Sequence, residues 1–468
     1  MSRINTNVSS LIAQRVLRKN NNSLNTSLAR LSTGLKINGG ADNPAGLIAS
    51  ENLRAEKAGI QQAIENAGRA SNIIGTAEGG LSEVSTLLTE VQNLVSQSAN
   101  TGGLSQEEIA ANQLQVDSIL NTINRIAQST AFQGAKLLNG NYSYTTSGVT
   151  STQVDNLRIN SARNPDGAVL NVVVQVVTSA QTGTITYTNG AISGADGATI
   201  EIAGNVGTEQ LSFASGTTVS SIATAVNAVK ASTGVSATVS GTALRLDSTR
   251  FGSDQFVSVK TVAGTFVPSA NKDAGRDAAV NVNGAEAQAN GLSISFRSSN
   301  LDVEFDLDAA FNAAGTGTFV ITGGGADFAL GSKVSETDKA SVGITSVSTG
   351  SLGDTTTGFL SALASGGAAS LDSGNLTTAQ KVIDKSIKQV SQLRGRLGAF
   401  QKFTIGATVN SLGVALENAN AAESAIRDTD FAEETANLTR SQILASAATT
   451  VLASANASPQ AALSLLQG

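Results

Sequence analysis

The 468-residue sequence contains no cysteine, no histidine and no tryptophan. Without cysteine or histidine it can form no disulfide, no Ser-His-Asp or Cys-His nucleophile system, no thiolate or imidazole zinc site and no iron–sulfur cluster. Charge is scarce: Asp, Glu, Lys and Arg make up 14% of the chain, against about 25% in an ordinary globular protein. The 30 basic and 36 acidic side chains leave a net charge of -6, which offers nothing to nucleic acid or to an anionic membrane. No apolar run reaches the ~18 residues of a membrane span, so no membrane insertion is expected. The opening Met1-Ser2-Arg3-Ile4-Asn5-Thr6-Asn7 lacks the apolar stretch of a cleavable signal, so export, if it occurs, must read an uncleaved terminus. The length suggests about three domains.

What is present changes texture twice. Residues 1–140 are rich in Asn, Gln, Ser, Ala and Leu, residues 141–375 in Gly, Thr and Val, and residues 376–468 return to the first texture. Both ends carry apolar spacings of three and four. Leu24, Leu28, Leu31 and Leu35 step 4-3-4, and Ile4, Val8 and Leu11 step 4-3. Ile60, Ile64, Ala67 and Ile74 lead into Leu81, Val84, Leu88, Val91 and Val95. Ile109, Val116, Leu120, Ile123 and Ala127 carry the seam into a third helix. Near the other end it recurs at Ile383, Ile387, Val390, Leu393, Leu397 and Phe400, and at Ile405, Val409, Leu412 and Leu416. A seam of period 3.5 marks helices that supercoil around partners, whereas a surface helix on a globular core carries a wider stripe.

Punctuation agrees with long rods. Asn38-Gly39-Gly40-Ala41-Asp42 breaks the first helix, and Asn43-Pro44 is a cap and first-turn pair for the next. That helix would run to about Asn100, ~80 Å if unbroken, with Gly79-Gly80 as the expected bend. Ser105 and Glu108 form a capping box for the third. The middle reads as short β-branched strands at 169–177, 184–188, 199–202 and 292–296, with one helix at 219–230. The expected fold is therefore α+β and multidomain: an elongated α-helical coiled-coil rod built from both chain ends, with a β-rich insert between them.

The termini differ in charge. The first 41 residues hold six cations (Arg3, Arg15, Arg18, Lys19, Arg30, Lys36) and no acid, whereas Glu423, Asp428, Asp430, Glu433 and Glu434 crowd the start of the last arm. The two are expected to lie side by side. Residues 441–458 carry no charged side chain at all. A helix without a charged face has no ordinary solvent side, so it is expected to be buried once copies assemble, with small residues allowing close approach. Pro459, capped by Ser458, suggests a last short helix ending in Leu463, Leu465 and Leu466. The residues expected to carry packing and polymerisation are Leu24, Leu28, Leu31, Leu35, Leu444, Val451, Leu463 and Leu466. No catalytic residue, cofactor or metal site is expected.

These residues resemble the bacterial flagellin family. The likeness rests on Ile4-Asn5-Thr6-Asn7, Leu31-Ser32-Thr33-Gly34-Leu35-Lys36-Ile37-Asn38, Asp42 to Gly46 and Gln97-Ser98-Ala99-Asn100 in the first arm. In the last arm it rests on Ile426-Arg427-Asp428-Thr429-Asp430-Phe431-Ala432-Glu433-Glu434, Asn437-Leu438-Thr439-Arg440-Ser441-Gln442-Ile443-Leu444 and Leu463-Ser464-Leu465-Leu466. Thr233-Gly234-Val235 and Leu246-Asp247-Ser248, within about 195–262, resemble an insert motif shared by flagellins and hook-associated proteins. The resemblance implies inner-tube helices at 1–45 and 425–468, a helical rod from 46–140 and 376–424, and a variable surface region at 141–375. It also implies a helical homopolymer outside the cell, export without signal cleavage through the flagellar type III apparatus, an export chaperone, and cap and hook-associated proteins as partners. Flagellins recognised by the innate-immune toll-like receptor typically carry an arginine where this chain has Glu90, with further differences at Gln92 and Asn93. The resemblance therefore implies weak or absent signalling.

Two other readings compete: a hook-filament junction protein, and a secreted adhesin with a helical stalk and a β-rich head. An enzyme is a third. Asp302, Glu304, Asp306 and Asp308 alternate on an expected strand and share one side of it. No calcium-binding loop accompanies them, and a solvated sheet edge protected from aggregation explains them more simply.

Overall fold

The computed structural model describes residues 6–100, 102–163, 168–194 and 196–467, with side chains described as far as residue 458. The helices are α1 (Val8–Thr33), α2 (Pro44–Ser98), α3 (Gln106–Ser129), α4 (Val219–Ala228), α5 (Lys230–Thr233), α6 (Leu376–Ala399), α7 (Gly406–Arg427) and α8 (Phe431–Gln467). A π-helical turn, Phe400–Ile405, follows α6. The chain divides into two compact units. One holds the described residues up to Gly68, Leu330–Val334 and those from Gly406 onward; the other holds Arg69–Ala329 and Ser335–Ile405. Helix α2 contributes to both.

In the second unit the 3-4 seams are interior. Leu81, Val84, Leu88 and Val91 of α2 are completely buried, as are Val116 and Ile123 of α3 and Ile383 and Leu397 of α6. Polar cross-links fix the helices: Arg394 of α6 pairs with Glu78 of α2 at 2.8 Å, and Asn112 of α3 donates to Ser98 of α2 at 3.2 Å. Helix starts follow their local chemistry. Ser105 and Glu108 form the reciprocal capping box, and Asn43 accepts the Gly46 amide at 2.9 Å.

The β-rich middle has two apolar cores. An eight-stranded sheet has the order Thr145–Ser147, Gly315–Gly323, Leu170–Thr178, Ala279–Val282, Ala285–Asn290, Ser293–Arg297, Leu301–Leu307 and Val154–Ala162. Its inward face carries Val172, Val174, Val280, Val282, Val303 and Phe305. The second core gathers Ile185, Ile200, Ile202, Ile222, Val226, Leu244 and Val257 around Tyr187, whose ring stacks on Phe266 at 4.1 Å. Every strand pairing among the described residues is antiparallel.

Four expectations are corrected. Gly79-Gly80 does not interrupt helix α2, which is helical throughout. Gly80 serves packing instead, because a Cβ there would lie 2.7 Å from Thr130 Oγ1 and 2.8 Å from Leu138 Cδ1. The first helix ends earlier than expected, at Thr33, where Gly34 takes a left-handed conformation (φ 73°). No separate helix begins at Pro459; α8 continues to Gln467. The proline costs about 3 kcal/mol inside a helix, and the Ala and Leu residues that follow it favour continuation. Finally, the acidic strand Leu301–Leu307 is internal, between Ser293–Arg297 and Val154–Ala162. Its acids are half-buried and partnered: Asn160 donates to Asp302 at 3.0 Å, Asn156 to Asp306 at 2.9 Å, and Arg297 lies 3.4 Å from Asp302. Asp308 lies beyond the strand, where it accepts the Ala310 amide at 2.7 Å.

Candidate assembly surface

Helices α1 and α8, both in the first unit, run antiparallel. Asn7 Nδ2 donates to the Ala455 carbonyl at 2.8 Å, Asn20 Nδ2 to that of Leu444 at 3.1 Å, and Arg30 lies 3.5 Å from Glu434. Past the end of α1 the chain pairs with the segment between α7 and α8. The Lys36 amide donates to the Arg427 carbonyl at 2.7 Å, and the Thr429 amide to that of Gly34 at 3.0 Å. The basic first helix thus does lie against the acidic start of the last. Glu434 is buried at 7% exposure, so its attraction to Arg30 is less screened than a surface pair. On α2, Lys57 binds Glu423 of α7 at 2.6 Å and Glu51 binds Arg427 at 3.2 Å.

The two helices meet along a narrow seam of mostly small or polar residues. From α1 it takes Ser10, Ala13, Leu17, Asn20, Leu24, Ser27 and Leu31; from α8, Ser441, Ala445, Ala448, Leu452 and Ala455. Both sets step in threes and fours, which holds one face of each helix toward the other. Other large apolar residues point elsewhere. Val8, Leu11, Ile12, Val16 and Leu28 of α1, and Ile443, Leu444 and Val451 of α8, are each 43–64% exposed. Of the residues expected to drive packing, Leu24, Leu31 and Leu35 are half-buried within the chain, whereas Leu28, Leu444 and Val451 are open. The side chains of Leu463 and Leu466 lie outside the described residues. Leu35 sits in an isolated bridge opposite Asp428.

Sequence reasoning missed Ile12, Val16 and Ile443. Their signal was present as a second apolar stripe beside the first: Leu11, Ile12 and Val16 sit one position away from the seam residues Ser10, Ala13 and Leu17. A helix with two apolar stripes can satisfy only one inside a single chain.

The family model for the bacterial flagellin N-terminal helical region matches residues 4–143, and that for the C-terminal helical region matches 380–466. The flagellin hook IN motif matches 199–250, within the second β-rich core. Polar flagellin B/D of Vibrio parahaemolyticus is 30% identical over 464 residues, covering 99% of each chain. Flagellin D of Vibrio cholerae is 30% identical over 464 residues with the same coverage. B-type flagellin of Pseudomonas aeruginosa is 31% identical over 524 residues, again covering 99% of both.

Proposed function

The chain belongs to the bacterial flagellin family and is a structural subunit of the flagellar filament, an extracellular structure that serves motility; from that premise we propose that it polymerises by burying the open apolar stripes of α1 and α8 against other copies. The observation that carries this reading is the contrast between the two units. The seam of α2, α3 and α6 is closed inside the chain, while the eight aliphatic residues of α1 and α8 named above remain 43–64% exposed. Covering the exposed half of one such side chain contributes roughly 1 kcal/mol, so eight contribute on the order of 8 kcal/mol. That is comparable to the ~4–15 kcal/mol association costs in translational and rotational freedom. One neighbour is therefore marginal, and several neighbours at once make assembly cooperative.

In this reading 1–45 and 425–468 form the inner tube, 46–140 and 376–424 the rod, and 141–375 the surface region, with Leu24, Leu28, Leu31, Leu35, Leu444, Val451, Leu463 and Leu466 at the helix contacts. The family is one of structural proteins, and no residue is assigned a catalytic role. Export without signal cleavage through the flagellar type III apparatus, a chaperone on the apolar last helix, and cap and hook-associated proteins at the filament ends complete the proposal. Glu90 and Asn93 are exposed on α2, and Gln92 donates to Asp384 at 3.4 Å. With Glu90 in place of the arginine of receptor-activating flagellins, weak signalling is expected. A reporter-cell assay showing full potency overturns that part.

The polymerisation proposal is tested with Leu444→Ser and Val451→Ser. Both side chains are open in the single chain, so the monomer's circular dichroism and thermal midpoint are expected to stay unchanged. Electron microscopy and sedimentation after salting-out are expected to show filaments for the parent and none for the double variant. Filaments of normal length from the variant overturn the proposal.

A further inference from the structure

A cavity of about 660 Å³ lies in the second unit, where the polar face of the eight-stranded sheet is overlaid by α6 and the π-helical turn. Its volume falls within the roughly 300–1,000 Å³ of small-ligand sites. Four guanidinium groups line it, Arg158, Arg163, Arg297 and Arg396, against two carboxylates, Asp302 and Glu304. The direct ion pairs to both carboxylates come from one of the four: Arg297 lies 3.4 Å from Asp302 and 3.5 Å from Glu304. Arg396 is committed as well, donating to the Gly343 carbonyl at 2.9 Å and to Asn160 Oδ1. Arg163 donates to the Lys339 carbonyl at 3.3 Å.

Arg158 is different. It lies on the strand Val154–Ala162, where its backbone pairs opposite Glu304, and is half-buried; its guanidinium makes no hydrogen bond or ion pair with any described residue. A guanidinium offers five donors in a planar fork that matches a carboxylate bidentately. Burial holds it below the usual arginine range, while Glu304, Asp354 and Asp306 act through space to keep it charged. A second unusual feature lines the same cavity. Phe403 in the π turn is 68% exposed, with the Lys402 ammonium 5.2 Å from its ring centre, and half-buried Phe400 lines the same cavity. An exposed aromatic ring and a guanidinium with no direct side-chain partner, lining one cavity, form an arrangement that receives a ligand with an apolar ring face and an anionic group. Gln392, Ser161 and Ser341 supply neutral hydrogen-bonding groups between them.

We propose that this cavity binds a carboxylated sugar, its carboxylate on Arg158 and the apolar face of its ring against Phe403. A monoanion suits the site better than a phosphate dianion, because Asp302 and Glu304 oppose each added negative charge. A neutral sugar leaves the Arg158 fork without its matching partner. The carboxylate can come from a sialic-acid-type terminal residue or from a uronic acid, and the site chemistry is the same for both.

The test titrates the full-length, unpolymerised chain with 3′-sialyllactose, with trigalacturonic acid, and with lactose as the neutral control, followed by calorimetry and saturation-transfer NMR. At least one acidic sugar is expected to bind about tenfold or more tightly than lactose, the weight of one charge-assisted bidentate contact. Which of the two acidic sugars binds identifies the source of the carboxylate. Arg158→Gln is expected to lower that affinity at least tenfold. Phe403→Ser, at an exposed position where folding is not at stake, is expected to lower it several-fold and to erase transfer to the sugar ring protons. Equal binding of lactose and both acidic sugars, no binding of either acidic sugar, or binding indifferent to both substitutions overturns the proposal.

Discussion

The side-chain amide of Asn7 donates to the backbone carbonyl of Ala455 at 2.8 Å, joining residues 448 positions apart. The same side chain accepts the Ser10 amide at 3.0 Å, so one asparagine caps the start of α1 and clamps it to α8. Its two functions are separable. Asn7→Asp keeps the cap acceptor and removes the donor; Asn7→Ala removes both. The cap contributes about 1 kcal/mol and the cross-helix bond a similar amount. Amide hydrogen exchange is expected to show α1's first turn still protected in the aspartate variant and frayed in the alanine variant, with exchange near Ala455 faster in both. Protection near Ala455 unchanged in the alanine variant would show that the contact contributes nothing.

Adjacent glycines in α2 are expected to respond in opposite directions. A Cβ on Gly79 meets nothing within 4 Å, whereas one on Gly80 lies 2.7 Å from Thr130 Oγ1 and 2.8 Å from Leu138 Cδ1. Alanine in a helix interior gains roughly 0.5–1 kcal/mol over glycine when space allows. Gly79→Ala should therefore raise the thermal midpoint slightly. Gly80→Ala must displace Thr130 or the fully buried Leu138, an overpacking cost of about 1–3 kcal/mol that outweighs the helix gain. Two shifts of the same sign would show that helix propensity, and not packing, decides both positions.

Those glycines also mark where the sequence stopped being legible. The 3-4 rhythm of Leu81, Val84, Leu88 and Val91 is local, and the structure buries all four. The Ser105–Glu108 capping box is equally local and equally visible. Gly79-Gly80 was not, because propensity suggests a bend, and only the close packing of Thr130 and Leu138, about fifty residues away, shows why Gly80 stands in an unbroken helix. The strand acids fail for the same reason. Alternation placed Asp302, Glu304 and Asp306 on one face correctly, but their strand is internal because Val154–Ala162, nearly 150 positions earlier, pairs along its outer side. At the assembly surface the apolar stripes were readable and their division was not. Which stripe of α1 faces α8 depends on small residues such as Ser10, Ala13 and Ser27, whose burial no hydrophobic pattern announces.

The ion pair between Asp354 and Lys385, at 2.7 Å, should make the second unit acid-sensitive. Asp354 is only 5% exposed, and burial by itself raises its pKa. That effect is overcome by Lys385 and by Thr357, whose amide and hydroxyl each donate to its carboxylate at 2.6 Å, so the net shift is downward. A carboxylate with a depressed folded-state pKa contributes its full stabilisation above the value of a free aspartate, about 3.9, and loses it as the pH falls through the lower folded value. Lys385 is itself partly exposed, so the contribution is discounted for solvent screening to about 1–3 kcal/mol. Asp354→Asn is therefore expected to lower the thermal midpoint at neutral pH, and its curve should converge on that of the parent as the pH is taken below 4. Lys385→Met should behave in the same way, because it removes the other half of the same pair. Midpoints that stay parallel down to the acid transition would mean that the loop is held onto α6 without the ion pair, by Gln389, which bonds both the amide and the carbonyl of Gly353 at 2.9 and 2.7 Å.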